Sequence, residues 1–228
     1  MIGCFVTGTD TGVGKTLAAC GLLHALRGHH ARVVGMKPVA AGMVCIGGRW
    51  ASEDALALRA ASSVEVPPEL DNPVLLPDPL SPHLAAARAG VRIEVAELAR
   101  RYRALAQRAD AVVVEGAGGF HVPLNETDTG ADLAQALGLP VVLVVGLRLG
   151  CLNHALLTAE AIRSRGLALA GWIANHIDPA MLAPVDNIDY LRKSLGAPLL
   201  AVIPHAALPD PRGLAIALPP AWRGEAAR

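Results

Sequence analysis

The sequence predicts an α/β fold, a doubly wound, mostly parallel sheet with helices on both faces. Short apolar runs alternate along the chain with longer helix-like segments. The runs show no period-two alternation, as expected of strands buried on both faces. The length of 228 residues, with 53% apolar, suits one domain over 1–228 with a sizeable core. Only 3% are aromatic, so that core must be built mainly of Ala, Leu and Val.

Strands are expected at 2–7, 32–38, 111–115, 141–145, 170–175 and 199–203, all short Val/Ile/Ala-rich runs. Between them, helical spacing predicts helices at 15–26, 53–61, 96–108, 153–165 and 188–195. Ser52 is placed to cap the second of these, with Glu53 and Asp54 in its first turn. The 67–82 stretch holds six prolines, which rules out a long helix and predicts a surface excursion. The tail beyond Pro204 is also proline-rich, and disorder is expected in its last few residues.

Twenty basic residues balance twenty acidic ones, so there is no electrostatic footprint for nucleic acid. The long apolar stretch at 140–157 is interrupted by Arg148, Asn153 and His154 and makes a poor membrane span. No basic region precedes the apolar residues after Met1, so no secretory signal is expected. Cys4, Cys20, Cys45 and Cys151 have no metal-ligand spacing and read as reduced thiols, which points to the cytoplasm. The eight histidines show no metal spacing either, and none is assigned as a catalytic base.

The chemistry concentrates at strand ends. Thr7-Gly8-Thr9-Asp10-Thr11-Gly12-Val13-Gly14-Lys15-Thr16 follows the first strand and opens the first helix. Glycines let successive backbone N–H groups converge on an anion, and the helix N-terminus adds partial positive charge. Lys15 is placed to reach the β- and γ-phosphates, and the Thr16 hydroxyl to ligate Mg²⁺. The motif is therefore a phosphate-binding loop, and the fold is of the P-loop nucleoside triphosphate hydrolase type. Five residues separate Gly8 from Gly14, where the common motif has four. Asp10 stands where the P-loop ATPases that sort cell-division proteins and plasmids carry a second lysine, and so argues against a dimerising switch.

Ligands of open α/β sheets bind beyond the carboxyl ends of strands. Lys37, in Met36-Lys37-Pro38-Val39, sits at such an end and can stabilise a transferring phosphoryl group. Glu115 ends an apolar strand before Gly116-Ala117-Gly118-Gly119 and fits a Mg²⁺-binding acid. The glycines after it allow close approach of substrate or phosphate. Capping alone explains Asp54 and Glu53, and the residues themselves do not choose between them.

Together these segments, with Lys37-Pro38-Val39-Ala40 and Gly150-Cys151-Leu152-Asn153-His154-Ala155, resemble the dethiobiotin synthetase family from the first strand to about Pro204. The resemblance implies a reaction in which a carbamate, formed from CO₂ and 7,8-diaminopelargonic acid, is phosphorylated by Mg-ATP and closed to a ureido ring. It implies Mg²⁺ on Thr16, Asp54 and Glu115, and nucleotide contacts from Gly12, Val13, Gly14, Lys15, Thr16, Leu17 and the Glu115–Gly118 segment (Gly116, Ala117 and Gly118 included). Asn175, Pro204, His205 and Ala206 would meet the adenine end. Lys37 would be the principal catalytic lysine, assisted by Lys15. Thr11, Lys37, Ala41 and Gly118 would hold the diamine. Gly150, Cys151 and Asn153 would take its carboxylate tail from the partner of a homodimer. Family members often carry Ser where this chain has Ala41, which removes one hydrogen bond and predicts weaker substrate binding. The rival reading is a P-loop switch ATPase stimulated by a protein partner rather than by a diamine.

Overall fold

The computed structural model describes residues 1–207 and 209–224. In chain order the elements are β1 (Ile2–Gly8), α1 (Lys15–Arg27), β2 (Val33–Met36), β3 (Val39–Ala41), β4 (Val44–Ile46), β5 (Arg49–Ala51), α2 (Glu53–Ala61), α3 (Pro68–Asp71), β6 (Val74–Leu76), α4 (Pro82–Ala89), α5 (Val95–Ala106), β7 (Ala111–Gly119), α6 (Gly130–Leu137), β8 (Val141–Gly146), α7 (Cys151–Ser164), β9 (Leu169–Asn175), α8 (Pro184–Ser194) and β10 (Leu199–Ile203). The expected doubly wound sheet is present: six parallel strands in the order β10-β9-β8-β1-β7-β2. The chain runs from β1 to the β2 edge, returns to β7, then crosses β1 to build β8, β9 and β10. Strand order therefore reverses around β1, whose carboxyl end is where such sheets bind ligands.

The strands are buried on both faces because their alternate side chains feed separate cores. Phe5, Val112 and Val114 point into one with Met36, Leu98 and Leu105, while Cys4, Val6, Ala111 and Val113 enter another with Leu22, Leu23 and Leu58. A third core takes Leu143, Val145, Trp172 and Ala174 of β8 and β9. Helix α5 shows the pattern from its own side. Leu98, Tyr102 and Leu105 recur at helical spacing and are all buried, the two leucines each contributing roughly 1.5–3 kcal/mol of burial.

Three local expectations change. The proline-rich 67–82 stretch is more than an excursion, because it contains α3 and also β6, which pairs in parallel with β3. An exposed β4–β5 hairpin, turning at Gly47 and Gly48 with positive φ, fills the space before α2. Helix α6 was not expected at all, although its sequence holds the signal for a capped start. Asp132 accepts from the Thr129 backbone N–H (2.7 Å) and hydroxyl (2.6 Å), and its other oxygen takes Arg165 at 2.6 Å. The strand ends shift by a residue or a few: the second strand stops at Met36 rather than 38, and the third runs on through the glycines to Gly119. Ser52 does cap α2, accepting from the Ala55 N–H at 3.3 Å. The disorder expected of the last few residues concerns 225–228, outside the described residues.

Asp132→Ala is expected to cost about 1 kcal/mol in urea unfolding at neutral pH, the usual worth of a helix-start contact. Burial acts to raise the Asp132 carboxyl, but the bonds from Thr129 and Arg165 outweigh it and bring it to about 2, against an ordinary value of 3.8. A depressed carboxyl stabilises above its unfolded value and loses that contribution as pH falls through the folded one. The gap between parent and variant should therefore close between about pH 4 and about pH 2. A constant gap across that range would mean the carboxylate is not what holds α6.

Candidate active site

The phosphate-binding loop leaves β1 and enters α1 through Gly14, whose φ of 87° is open to glycine but strained for other residues. A Cβ there would lie 2.1 Å from the Asn175 amide nitrogen, so the loop tolerates no larger residue. Asn175, at the end of β9, is buried and donates to the Val13 carbonyl at 2.9 Å, holding the loop from below. From the side, Asp10 does the same work. Its carboxylate caps the Thr11 N–H at 2.7 Å and pairs with Arg148, and these, the Thr11 bond first, keep the carboxyl below its ordinary range. Neither brace was foreseen for its role: a structural use of Asn175 and the Asp10–Arg148 pair need distant strand ends brought together.

At the carboxyl ends of β1, β2 and β7 four polar side chains converge. Lys37 Nζ lies 2.6 Å from Glu115 Oε1 and 2.7 Å from Asp54 Oδ2. The Thr16 hydroxyl is 2.9 Å from Asp54 Oδ1 and 3.0 Å from Glu115 Oε1. Lys37 and Glu115 are almost wholly buried, at 4% and 1% exposed, so the pair depends on its geometry to offset desolvation. Burial alone would strip the charge from Lys37, but the two carboxylates outweigh it and hold its pKa above the ordinary 10.5. Lys15 is the opposite case. Burial, then the repulsion of Lys37, lowers it, and its Nζ rests on the Asp10 carbonyl at 2.9 Å.

The proline-rich stretch positions Lys37. Its backbone N–H donates to the Asp71 carbonyl at 2.7 Å, and the Asn72 amide donates to its carbonyl at 2.8 Å. Asp71 is itself pinned by a two-bond contact from Arg59 of α2, at 2.6 and 2.7 Å. Thus α2 carries Asp54 on one turn and, through Arg59, steadies the lysine that Asp54 meets. The neighbouring Glu53 is exposed, and of the two acids it is Asp54 that lies against Lys37 and Thr16.

The group fits Mg²⁺. Two carboxylates and a hydroxyl are hard oxygen donors, and Glu115 Oε2 is buried without a hydrogen-bond partner among the described residues. No cluster of three or more His, Cys, Asp or Glu with metal-holding geometry exists among the described residues, so this mixed set is the candidate.

A cleft of about 790 Å³ opens from these groups. The phosphate-loop residues Thr11, Gly12, Gly14, Lys15 and Thr16 line one wall. Lys37, Ala41, Asp54, Glu115, Ala117 and Gly118 line the rest, with Pro79–Pro82 closing the far side. The sequence reading placed the prolines at the surface, where Pro68, Pro77 and Pro79 do lie, but did not foresee that Pro79–Pro82 line this cleft. Val13 is buried in the core under the loop, Leu17 packs against that core, and Gly116 lies on Phe5. Pro204, His205 and Ala206 follow β10 as an exposed strand-end loop, with His205 Nδ1 3.2 Å from the His176 carbonyl. Gly150, Cys151 and Asn153 start α7, away from the cleft lining. Asn153 is exposed, but the Cys151 side chain is buried in the core, so only its backbone can face a ligand.

Residues 3–211 match the family model described as an AAA domain. The chain is 56% identical over 216 residues, 94% of its length and 95% of the relative's, to the ATP-dependent dethiobiotin synthetase BioD of Aromatoleum aromaticum. The chain belongs to the dethiobiotin synthetase family. Membership makes it an ATP-dependent ligase that forms carbon–nitrogen bonds, with ATP as co-substrate and Mg²⁺ as the metal. Solved structures show the fold alone. The cell division ATPase MinD of Pyrococcus furiosus aligns with a TM-score of 0.56 at 17% identity, over 90% of this chain and 84% of that one. A ParA family ATPase from Chlorobium tepidum TLS gives 0.55 at 17%, over 89% and 84%. The signal recognition particle receptor FtsY of Elizabethkingia anophelis gives 0.54 at 15%, over 94% of this chain but only 59% of its own length.

Proposed function

We propose that the chain joins CO₂ to 7,8-diaminopelargonic acid and closes the ureido ring of dethiobiotin, releasing ADP and phosphate. The whole chain, 1–228, acts as one ligase domain. The observation that carries this reading is the buried Lys37, set between Asp54 and Glu115 where the phosphate loop and the Ala41 side of the cleft meet. A second substrate in that cleft reaches the γ-phosphoryl group of ATP without leaving the protein.

One amine adds to CO₂ and loses a proton, giving a carbamate. A carbamate oxygen attacks the γ-phosphorus, the bond to ADP breaks, and a mixed anhydride results. The second amine attacks the carbonyl carbon, phosphate departs and the ring closes with loss of a proton. Lys37 and Lys15 place two cations where negative charge gathers during transfer, in a setting that excludes most water. Gly12 to Leu17 and the Glu115–Gly118 segment cradle the nucleotide, while Asn175 and Pro204 to Ala206 bound its adenine end. Thr16, Asp54 and Glu115 hold Mg²⁺, which neutralises phosphate charge when bound. Thr11, Ala41 and Gly118 bound the diamine.

The carboxylate tail of the diamine is assigned to Gly150, Cys151 and Asn153 of a second copy. Exposed apolar side chains beside that segment support a homodimer: Leu149 at 96%, Leu182 at 87% and Val185 at 65%, on and before the neighbouring helices α7 and α8. We place the reaction in the cytoplasm. Cys4, Cys20 and Cys151 are buried and unpaired, and no helix of the described residues is long and apolar enough to cross a membrane.

The test supplies ATP, Mg²⁺, bicarbonate and 7,8-diaminopelargonic acid, and seeks dethiobiotin by mass. Phosphate release with no ureido product rejects the assignment.

A further inference from the structure

Ser81 occupies the N-cap of α4, where a serine ordinarily accepts a hydrogen bond from the first helical turn. Here its side chain makes no such bond; only its carbonyl serves the helix, accepting from Leu84 and Ala85 at 3.0 Å each. Its hydroxyl oxygen instead lies 3.2 Å from His83 Nδ1, and Ser81 lines the reaction cleft. His83 is steadied by its own backbone N–H, which donates to the Pro123 carbonyl at 3.3 Å.

The cleft supplies few uncommitted neutral groups. Lys37, Thr16, Asp54 and Glu115 are engaged with one another, and Lys15 rests on the Asp10 carbonyl. Among the described lining residues that leaves the hydroxyls of Thr11 and of Ser81, the latter engaged only with His83. An amine that must attack a carbonyl needs an acceptor that orients its N–H without keeping it protonated. A hydroxyl does this and a carboxylate does not. The wall carrying Ser81 also touches the wall carrying Ala41. A Cβ on Gly42 would meet Pro79 at 3.0 Å, and the Gly42 N–H donates to the Leu76 carbonyl at 3.0 Å.

We propose that Ser81, oriented by His83, accepts a hydrogen bond from the amine end of the substrate. Ser81 is a substrate-binding residue of this site and His83 its positioning residue. This rests on the diamine reading above.

Steady-state kinetics of dethiobiotin formation test it. Ser81→Ala should raise KM for the diamine about tenfold, the ordinary loss for one hydrogen bond to a substrate, with KM for ATP unchanged. Because Ser81 does not cap α4, the variant's melting temperature should match the parent's. His83→Leu should mimic Ser81→Ala and add nothing to it, while His83→Asn, which keeps a polar group near Nδ1, should stay close to the parent. A diamine KM unchanged in Ser81→Ala overturns the inference, as does a parallel rise in KM for ATP or a drop in melting temperature. If the parent itself forms no ureido product, it is the reaction assignment that fails, whatever the variants do.

Discussion

Lys37→Ala is expected to lower kcat by about two to three orders of magnitude, as losing one donor aimed at developing charge commonly does. The size follows from the site of the charge. Lys37 is 4% exposed, and water cannot replace its Nζ beside the phosphoryl group as it would at a surface. The KM for ATP should change much less, because the loop backbone, Lys15 and Thr16 remain. Arginine is a poor substitute, since a planar fork cannot fit the 2.6 and 2.7 Å contacts that a point charge makes with Glu115 and Asp54. Single-turnover phosphate release separates the two parameters. A Lys37→Ala enzyme turning over near the parent rate would take Lys37 out of the chemistry.

Glu115→Ala should affect both metal and fold. Glu115 is the fully buried member of the metal set, whereas the Asp54 side chain is 44% exposed. Its loss should move the Mg²⁺ titration of activity to higher concentration, and an unchanged titration would mean that another group binds the ion. Without nucleotide, the variant should unfold on the order of 3 kcal/mol more easily, because it leaves a buried ammonium with only a half-exposed partner. The pH dependence carries a sign. In the parent, the two carboxylates, acting against burial, hold Lys37 above its ordinary 10.5, so its contribution is complete below that value and lost only as pH rises through the folded one. With Glu115 gone, burial gains on the remaining charge and draws the folded value down. The variant should lose further stability on the alkaline side at a lower pH than the parent. Parallel stability curves would show that Lys37 does not depend on Glu115 for its charge.

The likeness to MinD and ParA proteins bears on how the site is read. Fold and phosphate loop are common to enzymes and switches, so neither names a reaction. The chain's own polar groups at this end of the sheet are Asp10 in the loop after β1, Lys37 before proline, and Glu115 before a run of glycines. Asp10 also has a physical task here. Its carboxylate binds Arg148 and the Thr11 N–H, a role in which a lysine would repel the arginine.

The sequence alone determined the parts of this protein that local rules govern. A strand buried on both faces must be apolar at every position, so the six sheet strands were legible from runs such as 111–114 and 141–145. Glycines that free N–H groups, followed by Lys15 and Thr16 at a helix start, define a phosphate site wherever they occur. Only the tertiary structure decided what depends on residues distant in the chain. It set Asp54 against Lys37 and Thr16 and left Glu53, one residue earlier in the same helical turn, exposed. It set the 67–82 stretch against the Lys37 backbone, through Asp71 and Asn72, and along the cleft, through Pro79–Pro82. Proline patterns forbid helix but do not say which neighbour a chain will meet. Composition likewise could not show that the Ser81 side chain leaves its own helix uncapped, for that is a matter of which way one hydroxyl turns at the cleft wall.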